Sequence, residues 1–170
     1  MKLKIKEIAV FGMLGALMCV SDLLMEALPN IHIIAPFIVA TTVVYRAKAL
    51  FQIYIYVFSI GLVSGIGVWW IPYLYVWAVL WGAVMLLPKN MPEKLKPIIY
   101  MVVAALHGFL FGVIYAPSQA LLFGLDFSGM LTWIAVGLPA DIIHGVSNFV
   151  VGILIMPIIK VLSHTKKTYI

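Results

Sequence analysis

The sequence predicts an all-α integral membrane protein, a single domain over residues 1–170 built as a six-transmembrane-helix bundle with both termini cytoplasmic. Three observations predict it. Hydrophobic side chains make up 65% of the chain, against roughly 45–50% in soluble globular domains. The 11 basic and 6 acidic residues are too few to cover a soluble surface of this size. Apolar runs broken by Pro, Gly or charge recur near residues 6–25, 31–45, 49–67, 70–87, 97–115 and 137–160. At about 20 residues per crossing they consume about 120 residues, which leaves no room for a second domain.

The first run follows Lys2, Lys4 and Lys6 like a signal peptide, yet no Ala-x-Ala site follows Met18–Ser21, so it is read as a retained helix. The second is short and carries Pro36, which predicts a tilted, kinked or partial crossing. Between the fourth and fifth, Pro88 to Pro97 has the breakers and charge of a compact turn. The segment 116–136 is too apolar for a solvated linker, with Leu121, Leu122, Phe123, Phe127 and Trp133; a short helix lying across the outer mouth is expected there. The lone Cys19 excludes an internal disulfide and any multi-cysteine metal site.

Charge placement sets the orientation. Lys2, Lys4, Lys6, Arg46, Lys48, Lys89, Lys94, Lys96, Lys160, Lys166 and Lys167 all fall in alternate connections on one side, whereas the segments near 26–30, 68–69 and 116–136 hold no Lys or Arg. Cytoplasmic loops carry such an excess, so that side is inside. The same spread argues for membrane orientation rather than nucleic-acid binding. Asp22, Glu26, Asp126 and Asp141 fall toward the other side, giving a mildly acidic outer mouth.

Two clusters point to a ligand. Trp69 to Trp77, with Trp81 beyond, concentrates Trp and Tyr at the outer start of the fourth span. These rings are either an interfacial belt or, in part, an inward wall able to stack a planar heterocycle; Trp70, Tyr73 and Trp77 recur at helical spacing and form the candidate stripe. In the last span, Asp141, His144 and Asn148 share a helical face. Ionisable groups at that depth are expensive and face an interior; Asp141 serves equally well as a cap near an outer helix start. His107 beside Gly108 is read as a helix-bonded or ligand-facing imidazole. Asn30 and His32 flank the first outer loop, with Asp22 and Glu26, and Gln119 lies in the outer segment; these complete the candidate set. Small residues four apart, Gly12 with Ala16, Gly61 with Gly65 and Gly108 with Gly112, permit close helix approach.

Gly-x4-Gly-Lys-Ser/Thr and His-Glu-x2-His are missing, so neither ATP hydrolysis by that loop nor a zinc-protease site is expected, and no metal or cofactor is. An intramembrane hydrolase pairing Ser64 with His107 or His144 is the alternative from another class. A passive channel would need polar pore-lining residues along the spans, whereas these gather at the outer end.

The topology, the small-x3-small pair of the first helix, and the stretch from Gly137 through Asp141, His144 and Asn148 to Met156-Pro157-Ile158-Ile159-Lys160 resemble the substrate-specific (S) component of an energy-coupling factor transporter. The usual family pattern in the first helix is Ala-x3-Ala, where this chain has Gly12-x3-Ala16 with Ala9 nearby. The resemblance implies a multi-pass subunit of a bacterial cell membrane that is not itself an enzyme. It implies capture of a vitamin-like heterocycle outside, and docking through Ala9, Gly12 and Ala16 to a transmembrane coupling component served by two cytoplasmic ABC ATPases.

Overall fold

The computed structural model describes residues 3–28 and 30–169. It is all-helical, with no strand among the described residues. Helices α1 (Ile5–Met25), α2 (Ile34–Tyr45), α3 (Ala49–Ser64), α4 (Tyr73–Leu86), α5 (Lys96–Phe109), α6 (Phe111–Phe123), α7 (Phe127–Val151) and α8 (Ile155–Tyr169) follow in order, with short 3-10 turns at Arg46–Lys48 and Gly152–Leu154. Four stretches, Ile5–Met25, Ile34–Ser64, Lys96–Phe123 and Phe127–Thr168, have the length and apolar composition to cross a membrane, Ile34–Ser64 being divided between α2 and α3; Tyr73–Leu86 is apolar but shorter. Exposed Leu, Ile, Val and Phe side chains along all of them suit a lipid solvent.

Cross-links give each helix a direction. Gln52 Nε2 donates to Thr41 Oγ1 at 2.7 Å; eleven residues along an unbroken helix would be about 16 Å apart. The chain therefore folds back between α2 and α3, and Arg46 at φ 55 is the reversing residue. Lys48 pairs with Glu7 where α1 and α3 begin, and Tyr56, half way along α3, donates at 2.8 Å to Asp22 near the end of α1, so these two run parallel. Arg46 donates to the Met85 carbonyl at 3.1 Å and Lys166 to the Val44 carbonyl at 2.8 Å, placing the ends of α2, α4 and α8 together. The basic residues Arg46, Lys48, Lys89, Lys96 and Lys166 thus gather at one end of the bundle, beside the start of α1. Asp22, Glu26 and Ser64 lie at the opposite end.

Expectations for the last third of the chain need correction. Residues 116–136 do not form a short helix across a mouth. α6 runs on to Phe123, Gly124 caps it in the left-handed conformation (φ 65), and Asp126 caps α7 by accepting from the Gly129 N–H at 2.7 Å. Pro117 and Pro139 sit inside helices, so α6 and α7 extend past the residues 115 and 137 read as span ends. In hydrocarbon a helix with one lost backbone bond is still the least costly state for the chain.

Aromatic polar tips bolt the helices together. Tyr54 donates to the Leu74 carbonyl at 3.0 Å, Tyr75 to Ile114 at 2.9 Å, Trp81 to Arg46 at 3.2 Å and Trp70 to Val57 at 2.7 Å. Glycine sets the closest approach. An added Cβ at Gly108 would stand 2.8 Å from the Gly145 backbone, and one at Gly61 would enter the Trp70 indole. Two of the three small-residue pairs therefore contribute to internal packing.

Candidate functional site

Trp77 occupies the centre of the basic-free half of the bundle. It is 1% exposed, and its ring meets Tyr73 at 5.7 Å, His107 at 5.5 Å, Phe111 at 5.8 Å, His32 at 6.0 Å and Tyr56 at 6.1 Å between centroids. His144 closes the group from α7, 4.8 Å from His32 and 4.9 Å from Phe111. Five helices and the first loop thus gather three imidazoles and one indole, with His32 and His107 against the Trp77 ring and His144 against His32 and Phe111. Each ring has a local reason for its position. Tyr73 and Trp77 stand one turn apart on α4. His107 is held by its Nε2, 2.9 Å from the Val76 carbonyl. His32 precedes α2, outside the spanning helices, where burial lowers its imidazole to about 4 and keeps it neutral at physiological pH.

Polar atoms in this group lack protein partners. Trp77 Nε1, His32 Nδ1, His107 Nδ1, His144 Nε2 and Asn148 Oδ1 are buried without a hydrogen bond. Buried polar atoms are nearly always paired, so several orphans in one place make this group the candidate site. Asn148 spends its amide N–H on the Ala104 carbonyl at 3.2 Å, leaving its oxygen free.

Beside the cluster lies a hollow of about 330 Å³ lined by Asp22, Leu23, Glu26, Ile60, Ser64, Trp69 and Tyr73. That volume is at the lower end for small-molecule sites. Tyr73 is the partition: it lines the hollow, and its ring touches Trp69 at 5.4 Å on one side and Trp77 on the other.

No protein-family model matches the chain, and neither a curated protein nor a solved structure matches it. The geometry alone therefore carries the functional reading.

Of the residues singled out in the sequence, the structure brings together Tyr73, Trp77, His32, His107 and His144, with Asn148 one turn beyond His144. Trp70 belongs elsewhere. Its indole lies over Gly61 and against Phe58 at 5.5 Å, locking the 65–72 connection to α3. The inward stripe is Trp69, Tyr73 and Trp77, because Val57 and the Gly61 notch hold the Trp70 indole on α3 while the turn before Tyr73 sets Trp69 against the Tyr73 ring. Asp141 is no cap near an outer start of its own helix; it lies well inside α7. Its two carboxylate oxygens each accept from the Gly112 N–H at 3.1 Å, so it caps the start of α6 after the break at Leu110. Gly112 is required there, since a Cβ would meet that carboxylate. Gln119 is buried in α6 and Asn30 adopts φ 61 in the first loop; neither makes a ring contact with the cluster. Trp69, Ile60 and Leu23 are wall residues that the sequence reading left out.

Two remaining expectations concern other surfaces. Ala9 and Ala16 are exposed and Gly12 has open space around it, so this face of α1 points away from the bundle, while Gly15 packs on Ile55. Ser64 is exposed at the end of α3, and no hydrogen bond joins it to His107 or His144. Among the described residues, no three His, Cys, Asp or Glu side chains are placed to hold a metal ion.

Proposed function

We propose that this chain is the substrate-binding membrane subunit of an energy-coupling factor type importer, six crossings with both termini in the cytoplasm. It captures a small heterocycle from outside a bacterial cell membrane. The observation that carries this reading is the convergence of Trp77, His32, His107 and His144, with unpartnered nitrogens, beside a hollow at the end of the bundle that lacks basic residues. The ring wall around Trp77 excludes water, and the orphan atoms read the edge of a heterocycle. The surrounding helices hold those groups rigidly, which limits the entropy lost on binding. The gathered basic residues support the orientation, because they mark the cytoplasmic side. The chain carries no phosphate loop, so transport draws on a coupling component and two ABC ATPases, with the small-residue face of α1 at Ala9, Gly12 and Ala16 as the docking surface.

Mass spectrometry of small molecules retained by the purified protein tests the capture. A heterocycle should be released on denaturation from wild type and be lost from Trp77→Leu at unchanged oligomeric state. Equal retention by both would refute the site. Gly12→Leu should spare retention and break co-purification with the coupling component; intact co-purification would refute the docking face.

A further inference from the structure

The polar atoms around Trp77 restrict the chemistry of what binds there, given the capture reading above, on which this inference rests. Trp77 Nε1–H can only donate. The His107 Nε2 faces a carbonyl, which can only accept, so in the neutral ring Nε2 carries the proton and Nδ1 presents a lone pair. Asn148 donates to Ala104, so its free Oδ1 accepts. The fixed set is therefore one donor and two acceptors, all on side chains at least 95% buried. His32 Nδ1 and His144 Nε2 adapt by tautomer.

Charge adds a second, independent restriction. No Lys or Arg occurs in residues 7–45, 49–88 or 97–159. The ion pairs and hydrogen bonds of Arg46, Lys48 and Lys166 hold those cations at the opposite end of the bundle. Asp22 and Glu26 line the hollow instead, and Asp141 stands one turn before His144. A carboxylate or phosphate entering through that hollow would pass Asp22 and Glu26 and then lose its hydration beside Trp77 with no Lys or Arg to pair with, which costs far more than burying an uncharged ring.

We infer that the ligand is a flat nitrogen heterocycle, neutral or cationic, that offers N–H donors to His107 Nδ1 and Asn148 Oδ1, accepts from Trp77 Nε1–H, and bears no carboxylate or phosphate. An amino group beside a ring nitrogen, or a ring amide, has such an edge. Vitamins and bases delivered as acids or phosphate esters are excluded from this site.

The test uses the full chain in nanodiscs. Polar metabolites from a bacterial culture are split by anion exchange into an anionic fraction and a neutral-plus-cationic flow-through, and each is offered to wild type with retained compounds read by mass spectrometry. Two matched pairs, nicotinamide against nicotinate and 2,4-diaminopyrimidine against pyrimidine-4-carboxylate, are offered as competitors of whatever is retained. Retention should come from the flow-through alone, and each non-acidic competitor should displace at least 100-fold better than its acid. Asn148→Leu and His107→Phe, at wild-type melting temperature, should each weaken retention at least tenfold. Retention from the anionic fraction, or acids competing as well as their partners, overturns the assignment and leaves capture standing. Retention unchanged in both variants overturns the assigned contacts. No retention from either fraction overturns the capture reading, and this inference with it.

Discussion

Gly108→Ala probes the packing that places the site. α5 and α7 meet where Gly108 faces Gly145, and a Cβ on Gly108 would lie 2.8 Å from Gly145 Cα, from its N, and from Asn148 Nδ2. Carbon contacts settle at about 3.5–4.0 Å, so the helices must part by about 0.7–1.2 Å. Two of the three atoms are backbone and cannot swing aside. Overpacking of this kind costs about 1–3 kcal/mol, and parting the helices also stretches the 3.2 Å bond from Asn148 to Ala104, worth about 0.5–1.5 kcal/mol. The expected loss is about 2–4 kcal/mol, or about 4–16 °C in melting temperature for a chain of this size. Melting in detergent, followed by intrinsic fluorescence, measures it. Gly82→Ala is the control: it lies within α4 with open space around it and should be neutral or gain about 0.5–1 kcal/mol. Because His107 and His144 stand on the two helices being separated, Gly108→Ala should also weaken ligand retention. A Gly108→Ala variant melting within 1 °C of Gly82→Ala would refute the close-approach argument.

Removing the carboxylate in Asp141→Ala strips the Gly112 N–H of its acceptor and should destabilise by about 1–3 kcal/mol, with Asp141→Asn recovering much of it; equal melting of the two variants would contradict the capping role. In a background with the buried Cys19 replaced by Ala, a membrane-impermeant maleimide should label Ser64→Cys in intact cells and Lys167→Cys only after lysis, and the reverse pattern would invert the orientation. Burial holds His32 at about 4, below its usual 6.5, so the unfolded chain takes up a proton that the folded chain refuses. That contribution to stability is complete above about pH 6.5 and is lost as pH falls toward about 4. His32→Gln should flatten part of the wild-type decline in melting temperature over this window; identical pH profiles would argue against a buried neutral imidazole.

Composition and periodicity made the all-helical, membrane-crossing class legible because lipid permits few solutions: backbone groups must be bonded within the segment, and apolar runs declare themselves. The clustering of His32, His107, His144 and Trp77 was legible only as a set of suspects. An ionisable or amphipathic residue in an apolar run signals that it faces an interior, without saying which neighbours it meets. Trp70 shows the limit. Its spacing to Tyr73 and Trp77 is helical in the sequence, but the Gly61 notch and the Val57 carbonyl in α3 capture its indole. Residues 124–126 show a signal present but unused: a Gly followed by an Asp two residues later is a helix stop and a helix start, and it encodes a tight hairpin where a capping helix was expected.

By itself the sequence determined an all-helical chain with runs long and apolar enough to span a membrane, the grouping of its basic residues, and the scarcity of polar groups that makes each one informative. These follow from transfer free energies, which act residue by residue and need no neighbours. Tertiary structure decided that Asp141 caps α6, that Trp69 rather than Trp70 joins the inward stripe, and that three imidazoles and one indole come together beside a hollow. Those outcomes depend on where helices break and how closely they approach, through the Gly108 and Gly145 contact, the break at Leu110 and the reversal at Arg46. Contacts between residues far apart in the chain arise from packing, and no local pattern carries them.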